Sequence, residues 1–71
     1  MNAQIEQYVI DYLMSEGGRC SEQELRAALK SKFGLTDEEV NYILGKMLRE
    51  GRICYFNGEY YLPSSTPAPL P

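Results

Sequence analysis

A chain of 71 residues makes one domain, and at this length only about 60% of the unfolded surface is buried, which argues against a deep enzyme cleft and predicts modest stability. Ten acidic against seven basic side chains leave a formal charge of −3, which argues against a protein whose main work is to neutralise a phosphate backbone, although local basic patches remain allowed. There is no histidine, so the usual general base, metal ligand and neutral-pH switch are all missing, and neither a metal nor another cofactor is expected.

The other exclusions are equally short. Cys20 and Cys54 form a single pair far apart in the chain, too few for a disulfide scaffold or a four-ligand zinc site, and they read as two buried thiols. No apolar run reaches about 18 residues, and no basic stretch precedes an apolar core. The expectation is a soluble intracellular protein, cytoplasmic or nuclear, in a reducing compartment.

The first predicted element runs from Ala3 to Met14, where Ile5, Tyr8, Val9, Tyr12 and Leu13 recur three and four apart and make one helical stripe. Ile10 and Met14 point away from that stripe. They are either ordinary surface apolarity or a second docking edge for another chain or a second copy. Gly17 and Gly18 stop the helix, and Arg19-Cys20 is a short extended piece suited to a brief third strand beside a later hairpin. Ser21 with Glu24 has the spacing of a capping box, and Cys20 with Leu25 that of a hydrophobic staple. A second helix follows with Leu25, Ala28, Leu29 and Phe33 on its buried side, Arg26, Lys30 and Lys32 at its margins, and Gly34 at its end.

Leu35 to Leu62 is the most legible stretch. Thr36 and Glu39 form a second capping box, and Leu35 with Val40 a second staple. Val40, Ile43, Leu44, Met47 and Leu48 make an apolar stripe that Gly51 terminates, and the short junction from Phe33 to Thr36 sets the two helices in a helix-turn-helix pattern. Arg52 to Phe56 and Glu59 to Leu62 flank Asn57-Gly58, a dipeptide that tolerates positive φ at both central positions of a type I′ turn, so a two-residue hairpin is predicted. Alternation places Ile53, Tyr55, Tyr60 and Leu62 on the face expected to pack on the helices. Phe56 and Tyr61 fall on the other face, as sheet filler or as contact surface. Pro63 ends the strand. The domain is therefore expected to span residues 1–63, and the proline-rich stretch 64–71 reads as a disordered tail or linker, which suits an N-terminal domain followed by more chain.

Helix, short strand, helix, turn, helix and hairpin is the order of the winged-helix superfamily, which this chain resembles from Ile5 to Leu62. The resemblance implies an α+β fold, a three-helix bundle with a C-terminal two-stranded β-hairpin wing. Leu35-Thr36, Glu39-Val40-Asn41, Leu44, Met47 and Gly51 look like the third helix of the Z-nucleic-acid-binding family, in which an asparagine meets the phosphate backbone, and Asn41 matches that residue. The family's aromatic one turn later is Gly45 here, its basic residues before the asparagine are Asp37 and Glu38, and its Pro-rich wing is replaced by Asn57-Gly58. The stretch from Ser21 to Leu62 is also similar to the small winged helices at the C-termini of archaeal replicative helicases and of cullin-type subunits, which mostly dock or regulate.

In a major-groove docking, Glu38, Asn41, Tyr42, Gly45, Lys46 and Arg49 would face the duplex. The end of the helix that usually approaches base edges carries Asp37, Glu38 and Glu39, favourable to the helix dipole and unfavourable to phosphate. The first expectation is accordingly a non-catalytic module that docks onto a protein partner within a nucleic-acid-handling or regulatory assembly. Asn41, Tyr42, Lys46, Arg49, Arg52, Phe56 and Tyr61 are the candidate contact residues, with Ile10 and Met14 as the second edge, and homo-oligomers are also allowed. The alternative is direct duplex binding through Asn41, Lys46, Arg49 and Arg52 with the wing. No enzyme site assembles from these residues, and no membrane role is expected.

Overall fold

The computed structural model describes residues 2–65, as α1 (Asn2–Ser15), β1 (Arg19–Ser21), α2 (Glu22–Phe33), α3 (Asp37–Arg49), β2 (Cys54–Phe56), β3 (Glu59–Tyr61) and a single 3-10 turn at Pro63–Ser65. Three helices and a three-stranded antiparallel sheet give an α+β, winged-helix-like arrangement. The strand order is β1-β3-β2, so Arg19-Cys20 does supply the third strand and β3 becomes the centre of the sheet. The 3-10 turn at Pro63–Ser65 follows the last strand, and residues 66–71 of the expected tail lie outside the described residues.

Local chemistry accounts for most of the boundaries. At the start of α3 the Glu39 N–H donates to Thr36 Oγ1 at 3.1 Å and the Thr36 N–H donates to Glu39 Oε1 at 2.9 Å, which completes the predicted capping box. At its other end Gly51 takes φ +71°, which lets the Arg52 N–H reach back to the Met47 carbonyl at 3.0 Å and satisfy an otherwise orphaned acceptor. Asn57 and Gly58 sit at φ +54° and +81°, the pair of positive values that a type I′ turn needs.

The box expected at α2 forms only by half. The Glu24 N–H donates to Ser21 Oγ, but the Glu24 carboxylate accepts from the Tyr12 hydroxyl at 2.6 Å instead of returning to its cap. A partner on α1 outcompetes the local one and ties the two helices together.

The core is where the three helices meet the inner face of the sheet. Val9 and Leu13 of α1, Leu25 and Leu29 of α2, and Val40, Leu44 and Met47 of α3 are buried together with Ile53, and Cys20 and Tyr60 close it from the sheet. Cross-strand register aligns Cys20 with Tyr60 and Tyr60 with Tyr55, and it aligns Arg19 with Tyr61 and Tyr61 with Cys54. The hairpin faces are thus as predicted, but two exposures are not. Tyr55 lies on the inner row yet is 47% exposed, because β2 is an edge strand; its ring packs edge-on against Tyr60 at 5.0 Å and its hydroxyl donates to Glu22. Tyr61, expected to be partly exposed as filler or contact surface, is only 5% exposed, because β1 places β3 in the middle of the sheet with neighbours on both sides.

The same register separates the thiols. Cys20 and Cys54 flank β3 on opposite faces, and two strand spacings put their backbones about 9–10 Å apart, beyond the reach of a disulfide.

Two outcomes follow from these contacts. Thr36→Ala removes one half of the α3 box and leaves the buried stripe untouched, so urea unfolding should show a loss of about 1 kcal/mol with an unchanged m-value. Burial, with lesser contributions from Glu24, Glu16 and Glu59, pushes the Cys20 thiol up to about 12. Cys54, expected to be buried too, is only part-buried at the sheet edge. In a Cys54→Ser variant, Ellman's reagent at neutral pH should therefore reach Cys20 only as fast as the protein opens, and rapid labelling in the native state would contradict this packing.

Candidate functional site

The residues singled out for contact cluster on α3 and the chain that follows it, and most of their charge is engaged within the molecule. Lys46 Nζ donates to Glu6 at 2.7 Å and lies 3.6 Å from Glu50. Arg52 donates to the other Glu6 oxygen and stands 3.8 Å from Glu50. Glu6 is only 4% exposed. A carboxylate taken out of water is tolerated only when paired, so the two cations are its structural counter-ions. The hydrogen bond from Lys46 is the main reason the Glu6 carboxyl titrates below its ordinary value, with Arg52 adding to it against the opposing effect of burial.

Asn41 is engaged as well. Its Oδ1 accepts from Arg26 Nη1 at 2.7 Å, and Arg26 also reaches Asp37 at 3.5 Å. Lys30 pairs with the same Asp37, whose carboxyl is lowered first by that hydrogen bond. Arg19 lies 4.0 Å from Glu59, and Lys32 lies 5.8 Å from the centre of the Tyr8 ring. Among the described residues Arg49 is then the one cation with neither a carboxylate nor a ring against it. A Cβ at Gly45 would stand 3.3 Å from Arg49 Nη1, so this side chain folds back over the glycine instead of reaching out from the helix.

Among the described residues several carboxylates have no such counter-ion. The Glu24 carboxylate takes the Tyr12 hydroxyl, Glu22 takes that of Tyr55, and Glu38 makes no ion pair among the described residues. The hydrogen bond to Glu24 is the leading cause that raises the Glu16 carboxyl, as expected when two acids share one patch.

The apolar candidates divide in the same way. Tyr42 is 59% and Phe56 62% exposed, whereas Tyr61 is buried and is withdrawn from the contact set. On α1 Met14 is exposed but Ile10 packs partly against the core, so the proposed second edge presents one side chain and not two. Beside Tyr42 lies a feature that the sequence does not announce. A half-open groove of ≈ 290 Å³ runs between α1 and the first turns of α3, lined by Ile5, Leu35 and Ile43, by Tyr42, and by the polar Asn2, Glu38 and Glu39.

Glu6 had a visible signal, since it stands three and seven residues before Val9 and Leu13 and so shares their helix face. Its partners, forty residues and more downstream, had none. The groove had none either, because it arises only where α1 crosses α3. Among the described residues no three of His, Cys, Asp and Glu gather as a metal-holding group, and no helix is long and apolar enough to cross a membrane. Comparison with protein-family models, with curated proteins and with solved structures gave no match.

The Glu6 cluster has a defined pH signature. A carboxyl whose folded pKa lies below the ordinary 4.5 contributes stability that is complete above that value and is lost as pH falls through the folded pKa. Lys46 is raised above 10.5, first by its hydrogen bond to Glu6, so its contribution is complete below that value and is lost as pH climbs through the folded pKa. At neutral pH Glu6→Gln should destabilise by about 1–2 kcal/mol, allowing for the partial exposure of both cations. The gap to the parent chain should shrink progressively as pH falls below 4.5 in matched urea titrations.

Proposed function

We propose that this chain is a non-catalytic, winged-helix-like docking module that binds a protein partner, within a nucleic-acid-handling or regulatory assembly of the kind the superfamily resemblance implies. The observation that supports it is the engagement of Lys46 and Arg52 by Glu6, and of Arg26 by Asp37 and Asn41. Duplex binding needs those side chains on phosphates. Withdrawing them would leave a buried carboxylate uncompensated, which costs several kcal/mol in typical proteins. What remains on the outer side of α3 is Tyr42, Arg49 and Glu38, a mixture typical of protein interfaces, where tyrosine and arginine combine contact area with directed polar groups. The separation of the two thiols on opposite sheet faces suits a reducing, intracellular setting, since no internal disulfide is available to the folded chain.

Direct duplex binding is the competing reading, and salt separates the two. Each phosphate neutralised steepens the dependence of log K on log salt by about 0.9. Arg49 alone supports a slope of about one such unit; Lys46, Arg49 and Arg52 acting together would give nearly three. Fluorescence anisotropy with a mixed-sequence duplex at low and moderate salt should show no saturable binding. A slope near three units, abolished by Arg49→Glu, would reverse the assignment. Arg49 makes no ion pair among the described residues, so that variant keeps its fold.

A further inference from the structure

We propose that the groove between α1 and α3 receives a polypeptide segment in which an arginine stands next to a leucine-like aliphatic residue. This rests on the docking reading above and names the partner's chemistry. The groove encloses ≈ 290 Å³, just under the roughly 300–1,000 Å³ of sites that enclose whole drug-sized ligands. One or two side chains fit it, presented by a chain that stays outside. Ile5, Leu35 and Ile43 supply an apolar lining, which takes an aliphatic group.

The charge beside that lining is negative and available. Glu38 makes no ion pair among the described residues, and Glu39 uses one oxygen to cap Thr36. Asp37, in the same turn, is already neutralised by Lys30 and Arg26, so the uncompensated charge of this turn lies on the groove side. The half-charge of the helix N-terminus offsets only part of two carboxylates. Glu38 and Tyr42 are four residues apart on α3 and therefore adjacent on its surface. A carboxylate beside an exposed phenol ring suits a guanidinium better than an ammonium, because the planar fork pairs with the acid while its face stacks on the ring. A polyanion is repelled by the same two acids.

The test is a ¹H–¹⁵N titration of the full chain with an acetylated, amidated Gly-Ser-Arg-Leu-Ser-Gly peptide. The controls are Gly-Ser-Arg-Ser-Ser-Gly and Gly-Ser-Glu-Leu-Ser-Gly. Saturable shifts at the amides of Ile5, Leu35, Glu38, Tyr42 and Ile43 are expected for the first peptide only. Tyr42→Ala and Glu38→Lys, both at exposed positions, should each weaken it about tenfold or more, with the remaining spectrum unchanged. No saturable shift at about 5 mM peptide, equal shifts from either control, or shifts mapping elsewhere would overturn the proposal. Such a failure with duplex binding also absent removes the groove and leaves the docking reading standing; steeply salt-dependent duplex binding removes the docking reading itself.

Discussion

A single carboxylate inside α1 constrains much of this molecule. Glu6 lies on the face that Val9 and Leu13 turn towards the core, where an ionised acid without partners would be strongly unfavourable. It is satisfied by Lys46 from the last turns of α3 and by Arg52 from the segment leading into β2, with Glu50 beside both. The first helix, the third helix and the root of the hairpin are thereby held by one charged cluster. Such a cluster adds less net stability than its short contacts suggest, since each ion gives up hydration. Its larger effect is on what the surface offers, because two of the three cations that end the α3 region face inward duties.

A second polar contact works in the same direction. Arg26, on α2, bridges to Asp37 and Asn41 on α3 and so braces the helix-turn-helix pair through side chains as well as through the buried stripe. Asn41, expected as a contact residue, already accepts a hydrogen bond from Arg26 within the molecule. Asp37 is paired with Arg26 and Lys30, and Gly45 leaves a gap that Arg49 folds across. The polar side chains of α3 are therefore largely committed to contacts inside the molecule.

The sheet shows how one short strand redistributes exposure. Three residues of β1 are enough to place β3 between two neighbours, which buries Tyr61, while β2 stays at the edge and leaves Tyr55 and Phe56 in contact with solvent. Edge strands are liabilities for unwanted pairing, and a length of three residues limits that risk. The exposed aromatic surface is consequently divided between the hairpin edge and Tyr42 on α3.

What the sequence alone determined is what a few neighbouring residues decide. The α3 capping box, the positive-φ stop at Gly51, the Asn57-Gly58 turn, the alternation of faces along the hairpin and the apolar stripes all depend on contacts within about five positions, so composition and spacing carry them. The tertiary structure decided the partners of charged and amphipathic side chains: Glu6 with Lys46 and Arg52 across separations of 40 and 46 residues, Glu24 with Tyr12 in place of its own cap, and the groove beneath Tyr42. A charge on a helix surface has several local options of nearly equal energy, and burial against another element is what separates them. For that reason the fold was legible residue by residue, while the face available to a partner emerged only when the helices were packed.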